Sequence, residues 1–289
     1  TFTSTNNGGC LAVSSSMVIT YTSIPVVNAG SNQTVCANNA NVTLNGTSST
    51  GTGIWSTSGT GSFVPNNTTL NATYVPSPGD TTAGTVTLTL TATNGCSPTA
   101  QSIVITITNA PFVNAGPDQA VCQTNPNATL NGYVGGGSST GIWSTSGTGS
   151  FSPNNTTLNA TYIPSNADTA AGSVTLVLTS TANGNCNAVT DTLVITYTQT
   201  PVAYAGPDMT ACANNLAQLN GIISGGNGTG IWTTPNGTGT FLPNNTTLNA
   251  TYTPSNGDTL NTPIILILTS TNNGGCVAAV DTLIMTVTP

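Results

Sequence analysis

The chain has 289 residues and carries only seven ionisable acids, all Asp, with no Lys, Arg, His or Glu. Without cations it has nothing to exchange for phosphate counterions, which excludes a nucleic-acid partner and a polybasic membrane patch. Ser–His–Asp and Cys–His arrangements are impossible, no usual general base is present at neutral pH, and the chain reads as a non-enzyme.

From the N-terminus, residues 1–23 match the tail of a later segment: Thr3 to Cys10 and Thr269 to Cys276 are the same eight residues. The chain therefore begins inside a unit and is expected to be a piece of something longer. Three full units follow, at 24–109, 110–199 and 200–289. Each opens on a Pro-bearing apolar entry, such as Ile24-Pro25-Val26-Val27 or Ala110-Pro111-Phe112-Val113. In the first unit the expected strands are 33–36, 42–45, 53–57, 61–64, 71–75, 85–93 and 102–108. Thr85-Val86-Thr87-Leu88-Thr89-Leu90-Thr91 alternates strictly, so one face is buried and the other presents threonine. No segment has helical periodicity. The longest apolar run, Ile264 to Leu268, is a buried-strand length, so no membrane insertion is expected.

The units are tied together as copies by Pro-Asn-Asn-Thr-Thr-Leu-Asn-Ala-Thr-Tyr, found unchanged at Pro65–Tyr74, Pro153–Tyr162 and Pro243–Tyr252. A period near 90 residues is long enough for each unit to bury its own core, so the array is one of small domains. About seven short strands per unit, with turn residues at regular intervals, predict an all-β fold: tandem immunoglobulin-like sandwiches. The short Pro-bearing junctions favour a stiff, extended array, a rod longer than about 100 Å. Trp55, Trp143 and Trp232 with Tyr74, Tyr162 and Tyr252 are expected in the cores. The competing reading makes these aromatics a sugar-stacking platform.

The seven Cys fall as an early and a late residue per unit: Cys36 and Cys96, Cys122 and Cys186, Cys212 and Cys276, with Cys10 left over. One disulfide within each unit is the preferred pairing, and it places the chain in an oxidising, extracytoplasmic setting. Cys10 would then pair upstream. The rival scheme joins adjacent units as Cys10–Cys36, Cys96–Cys122 and Cys186–Cys212. No Cys has a second metal ligand at close spacing, so no metal site is expected from them.

The order of motifs carries a resemblance. Ala-Gly-Pro-Asp, then Cys, Leu-Asn-Gly, Trp, Tyr-x-Pro-Ser and a Gly-x-Cys before an Ile-Thr strand resemble the PKD-like/Ig-like repeats of giant Bacteroidota cell-surface adhesins of the SprB gliding-motility type. The resemblance covers essentially the whole chain. It implies type IX secretion, display on the cell surface and a stalk or filament role in attachment or gliding motility. Its implied partners are further repeats of the same chain, surface polysaccharide or the secretion and motility machinery. The alternative function is a carbohydrate-binding or spacer module of a secreted enzyme.

The seven Asp divide into two sets. Asp118 and Asp208 stand in Ala-Gly-Pro-Asp at the junctions, where a turn is the default and calcium the sharper reading; the first unit has Ser31-Asn32 there. The other five precede threonine. Asp-Thr followed by a small or apolar residue matches the Bacteroidota O-glycosylation acceptor, which makes Thr81, Thr169, Thr192, Thr259 and Thr282 candidate sugar sites. The plainer reading is a loop leading into a strand.

Overall fold

The computed structural model describes residues 1–95, 97–213 and 215–288. The chain divides into two compact units, one formed by 1–110 with the loop 184–187, the other by 111–183 with 188–289. Three separate hydrophobic cores form, one around each tryptophan.

In the first repeat a four-stranded sheet runs in the order Gln33–Cys36, Ala100–Thr108, Thr85–Ala92, Gly53–Thr57. Its first pair is parallel and the other two antiparallel. A three-stranded sheet of Val42–Thr43, Thr73–Val75 and Ser62–Val64 covers it. The alternation read from sequence holds along Thr85–Ala92, whose Val86, Leu88, Leu90 and Ala92 are buried. Val86, Leu88 and Leu90 pack with Trp55, Ile103, Ile105 and Ile107 of the same sheet and with Val42 and Tyr74 of the other, joined by Leu44 just past its first strand. Two sheets around one core make an immunoglobulin-like β-sandwich. The second and third repeats reproduce both sheets with matching registers.

Two features depart from the expected elements. A two-stranded sheet pairs Val27–Asn28 with Thr47–Ser48, and its counterparts recur at Pro111–Asn114 with Tyr133–Gly136 and at Val202–Tyr204 with Ile222–Ser224. Each repeat also contains one helical turn: Pro78–Ala83, Asn166–Ala171 and Asn256–Leu260. These turns are too short for a 3.6-residue period to show. Their signal is the capping box instead: Ser77, Ser165 and Ser255 each accept from the backbone N–H of the Asp three residues on, and that Asp side chain accepts in return from the serine N–H. Among the described residues no helix is long and apolar enough to cross a membrane.

Candidate functional site: disulfides between successive repeats

The repeated decapeptide folds upon itself. Asn66 Oδ1 accepts from the N–H groups of Thr68 and Thr69 and from both hydroxyls. Asn67 and Trp55 exchange bonds: the Trp55 N–H reaches the Asn67 carbonyl at 2.8 Å, and the Asn67 amide returns to the Trp55 carbonyl at 3.2 Å. The indole N–H donates to the Leu70 carbonyl. A Cβ on Gly46 would stand 2.8 Å from the Trp55 ring, so the Asn-Gly before this strand is required by the tryptophan. Trp55, Trp143 and Trp232 are at most 1 % exposed, and Tyr74, Tyr162 and Tyr252 are fully buried. Rings this enclosed present no stacking face to a sugar.

The tyrosines close on the helical turns. Tyr74 Oη donates to Asp80 Oδ2 at 2.7 Å, Tyr162 does the same to Asp168, and Tyr252 to Asp258 at 2.9 Å. Asp80 also accepts from the N–H groups of Thr60, Gly61 and Ser77. Burial by itself would raise the Asp80 carboxyl; the bonds from Tyr74, Ser77, Thr60 and Gly61 outweigh it and hold the group below the usual carboxylate range. Asp168 and Asp258 are shifted the same way, burial again opposed by hydrogen bonds, led in both by a backbone N–H. The phenols move up, chiefly through burial.

The remaining four Asp also serve the backbone. Asp118 Oδ1 accepts from Val194 N–H and Asp208 Oδ1 from Ile284 N–H. In the first repeat Asn32 Oδ1 makes the same bond to Val104. Asp191 and Asp281 accept from Ala115 and Ala205, and Gln101 does so from Ala29. A neutral amide that takes the place of a carboxylate shows what the position needs: an acceptor oxygen. Among the described residues no cluster of three potential metal ligands exists.

The five Asp-Thr threonines fall into two classes. Thr192 and Thr282 are exposed on strands. Thr81, Thr169 and Thr259 are half-buried in the helical turns, their hydroxyls donating to Pro78, Asn166 and Asn256 carbonyls.

The cysteines correct the expected pairing. Cys36 is bonded to Cys186 and Cys122 to Cys276, 150 and 154 residues apart. The early Cys of one repeat takes the late Cys of the next, which is neither the preferred pairing within repeats nor the rival one. Cys96 lies outside the described residues. Cys10 and Cys212 are exposed free thiols. The physical reason for the correction lies in where the cysteines sit. Cys36 and Cys122 end parallel edge strands, and the late Cys tops the loop after the Leu-rich strand, so neither crosses its own core.

Each disulfide sits within a set of specific contacts. At the first, the Asn38 side chain donates to the Asn187 carbonyl and accepts from the Asn187 N–H; the Asn187 amide returns to the Asn38 carbonyl, and Asn185 donates to the Thr34 carbonyl. At the second, Gly275 lies against the receiving strand Gln119–Cys122 and Gly274 against Thr198 of the strand beside it. A Cβ on Gly275 would stand 2.6 Å from the Ala120 carbonyl, and one on Gly274 2.2 Å from the Thr198 hydroxyl. The receiving backbone is alike in both: Asn39 and Asn125 N–H turn back on the Cys36 and Cys122 carbonyls.

No protein-family model matches the chain, and no curated protein does. Among solved structures it is similar to three immunoglobulin domains of titin, I67–I69, at 11% identity and a TM-score of 0.39, over 92% of this chain and 99% of that one. Sidekick-1 immunoglobulin domains 1–4 give 15% and 0.40, over 92% and 76%. The Drosophila OTK extracellular domains 3–5 give 12% and 0.43, over 89% and 95%. At such values the fold assignment rests on this chain's own sheets and cores.

Proposed function

We propose that the chain is a structural stalk segment of a large secreted cell-surface adhesin, serving attachment or gliding motility. The observation that carries the reading is the pair of disulfides, each joining one repeat to the next. A spacer module needs only independent folding. Covalent links between successive repeats are useful where their order and mutual attachment must persist outside the cell. Disulfides fit an oxidising compartment. The resemblance to Bacteroidota adhesin repeats supplies the finer reading, type IX secretion and a Gram-negative cell surface, and the internal repeats supply domain boundaries at 24, 110 and 200. The binding-module alternative loses its main support with the burial of all three tryptophans.

O-glycans on the Asp-Thr threonines belong to this proposal. They would keep a chain soluble whose charged residues amount to 2% of its length. Thr192 and Thr282 offer free faces, whereas Thr81, Thr169 and Thr259 would first surrender a hydroxyl bond.

Antibodies against the chain should label intact cells of the source organism, and labelling only after lysis would overturn the reading. Small-angle scattering of the isolated chain should give a maximum dimension above about 100 Å; a compact globule would count against a stalk. Intact mass of native material equal to the bare polypeptide, less the disulfide hydrogens, would end the glycan proposal.

A further inference from the structure

The tryptophans are enclosed, but one aromatic pair stands at the surface. Phe112 and Tyr133 lie diagonally across the two-stranded sheet of the second repeat, with ring centroids 6.3 Å apart and planes tilted by 54°. Among the described residues this is the one ring pair with both members exposed, at 58 and 59 %. Val113 and Val134, the next residues along the two strands, are buried, so both rings stand on the solvent face.

The backbone is fitted to the pair. Gly135 is directly opposite Phe112 and two residues after Tyr133, so all three share that face. A Cβ on Gly135 would stand 2.6 Å from the Tyr133 hydroxyl and 2.8 Å from its ring. Gly135 is not among the glycines of positive φ, so the ring and not the chain path requires it. The other repeats pair the same strands without rings at these places. Where the second repeat has Phe112, Tyr133 and Gly135, the first has Val26, Thr47 and Ser49, and the third Val202, Ile222 and Ser224. The sheet therefore forms without the trio. Just past Gly135 the chain enters a shallow cleft of about 350 Å³, lined by Gly136, Gly137, Ser138, Ser139, Thr140 and Ala182.

Charge and area narrow the occupant. The chain has no Lys, Arg or His to pair with a uronate, sulfate or phosphate, and the residues of the face and cleft bear no carboxylate to hold a cation. At these exposures the rings offer roughly 250 Å², well below the about 800 Å² that each side of a stable protein pair buries. Two tilted rings beside serine and threonine hydroxyls suit a sugar chain: the rings cover its C–H faces, and the hydroxyls exchange hydrogen bonds with its own. We propose that the Phe112–Tyr133 face, with the adjoining cleft at 136–140, is a binding site for a neutral polysaccharide. The site lies within one repeat and does not depend on the stalk reading.

The test is native electrophoresis of the full chain through gels that hold hydroxyethylcellulose, a galactomannan or a β-1,3-glucan, with carboxymethylcellulose as the acidic counterpart. At least one neutral polymer should retard the parent chain, and carboxymethylcellulose should not. The variant Phe112→Val/Tyr133→Thr copies the first repeat's residues into the second. It should keep the parent's Tm and bind about tenfold more weakly. Gly135→Ser copies both other repeats, keeps both rings and displaces Tyr133 from its seat, so it should also weaken binding. No retardation of the parent by any neutral polymer, equal retardation by carboxymethylcellulose, or undiminished binding in either variant would each overturn the proposal. Parent dimers in sedimentation that the double variant lacks would give the face to a second copy and overturn it as well.

Discussion

The decapeptide and the cysteine loop are held to the fold by opposite means. The decapeptide is identical in all three repeats and bonds only within its own repeat: Asn66 to its next residues, Asn67 to Trp55, Tyr74 to Asp80. The cysteine loop varies, as Asn183-Gly184-Asn185-Cys186 against Asn273-Gly274-Gly275-Cys276, and its contacts lie in the preceding repeat. Identity between copies thus marks internal packing, which every repeat must solve in the same way. Variation marks the joint, where each loop is fitted to one particular neighbour: Asn185 uses a side-chain bond to Thr34, and Gly275 uses the absence of a side chain.

Substitutions at the two regions should therefore act differently. The largest effect is expected at the joint. Replacing Cys36 and Cys186 together by Ser opens a loop of 150 residues, and the chain-entropy model gives a loss of about 5 kcal/mol. Guanidinium unfolding should show it, together with a separation of transitions between the repeats; a single unshifted transition would remove the joint's energetic role. Trp143→Ala, on the decapeptide side, should cost about 4 kcal/mol and unfold the second repeat while the disulfides remain closed on non-reducing gels. Loss of both disulfides in that variant would erase the distinction between the regions.

Asp168→Asn should cost about 2 kcal/mol, since it weakens several bonds to a buried carboxylate. It also sharpens the comparison through pH. The native carboxyl is held below its ordinary value, so the unfolded chain binds more protons as the medium is acidified. The stabilisation is complete above about pH 4 and disappears as pH falls through the lower native value. Acid titration of stability should be shallower in Asp168→Asn than in the parent, and identical acid limbs would show that the lock does not titrate. The smallest effect is expected at Asp118→Asn, within about 0.5 kcal/mol, because Asn32 already makes that bond in the first repeat. Calcium should leave Tm unchanged in both; a calcium-dependent rise lost in the variant would restore the junction as a cation site.

The same contrast explains what was legible in the sequence. The strands, the alternation of Val86, Leu88 and Leu90, and the sandwich follow from short-range patterns that each repeat carries in full. The helical turns escaped a search for periodicity because six residues contain less than two turns; Ser77-Pro78-Gly79-Asp80 was the sign, a capping box with Pro at the first helical position. Reading Asp80 as half of an Asp-Thr acceptor hid its place beneath Tyr74, a contact between residues six apart that no motif announces. The disulfide partners were not legible, since one early and one late Cys per repeat are equally compatible with several pairings. Only the orientation of the loop toward the neighbouring edge strand decides among them.

The two disulfide loops overlap: Cys122 lies inside the first, and Cys186 inside the second. Pulled from its ends, an unfolded chain would not extend through all 240 residues between Cys36 and Cys276. The taut covalent route is the shortest of three: the 64 residues between Cys122 and Cys186, entered and left through the two disulfides, the 86 from Cys36 to Cys122, or the 90 from Cys186 to Cys276. With both disulfides closed the 64-residue route goes taut first; cutting one leaves the 86- or the 90-residue route, and only cutting both releases the main slack. At about 3.5 Å per residue the first step is roughly 80 Å and the second roughly 500 Å. Single-molecule stretching should find Cys36→Ser/Cys186→Ser and Cys122→Ser/Cys276→Ser longer than the parent by the small step, and the chain with all four replaced longer than either by the large one. A gain of the large size from either pair alone would refute the arrangement. The repeats thus form a tether with covalent by-passes, in which each bond is the reserve of the other.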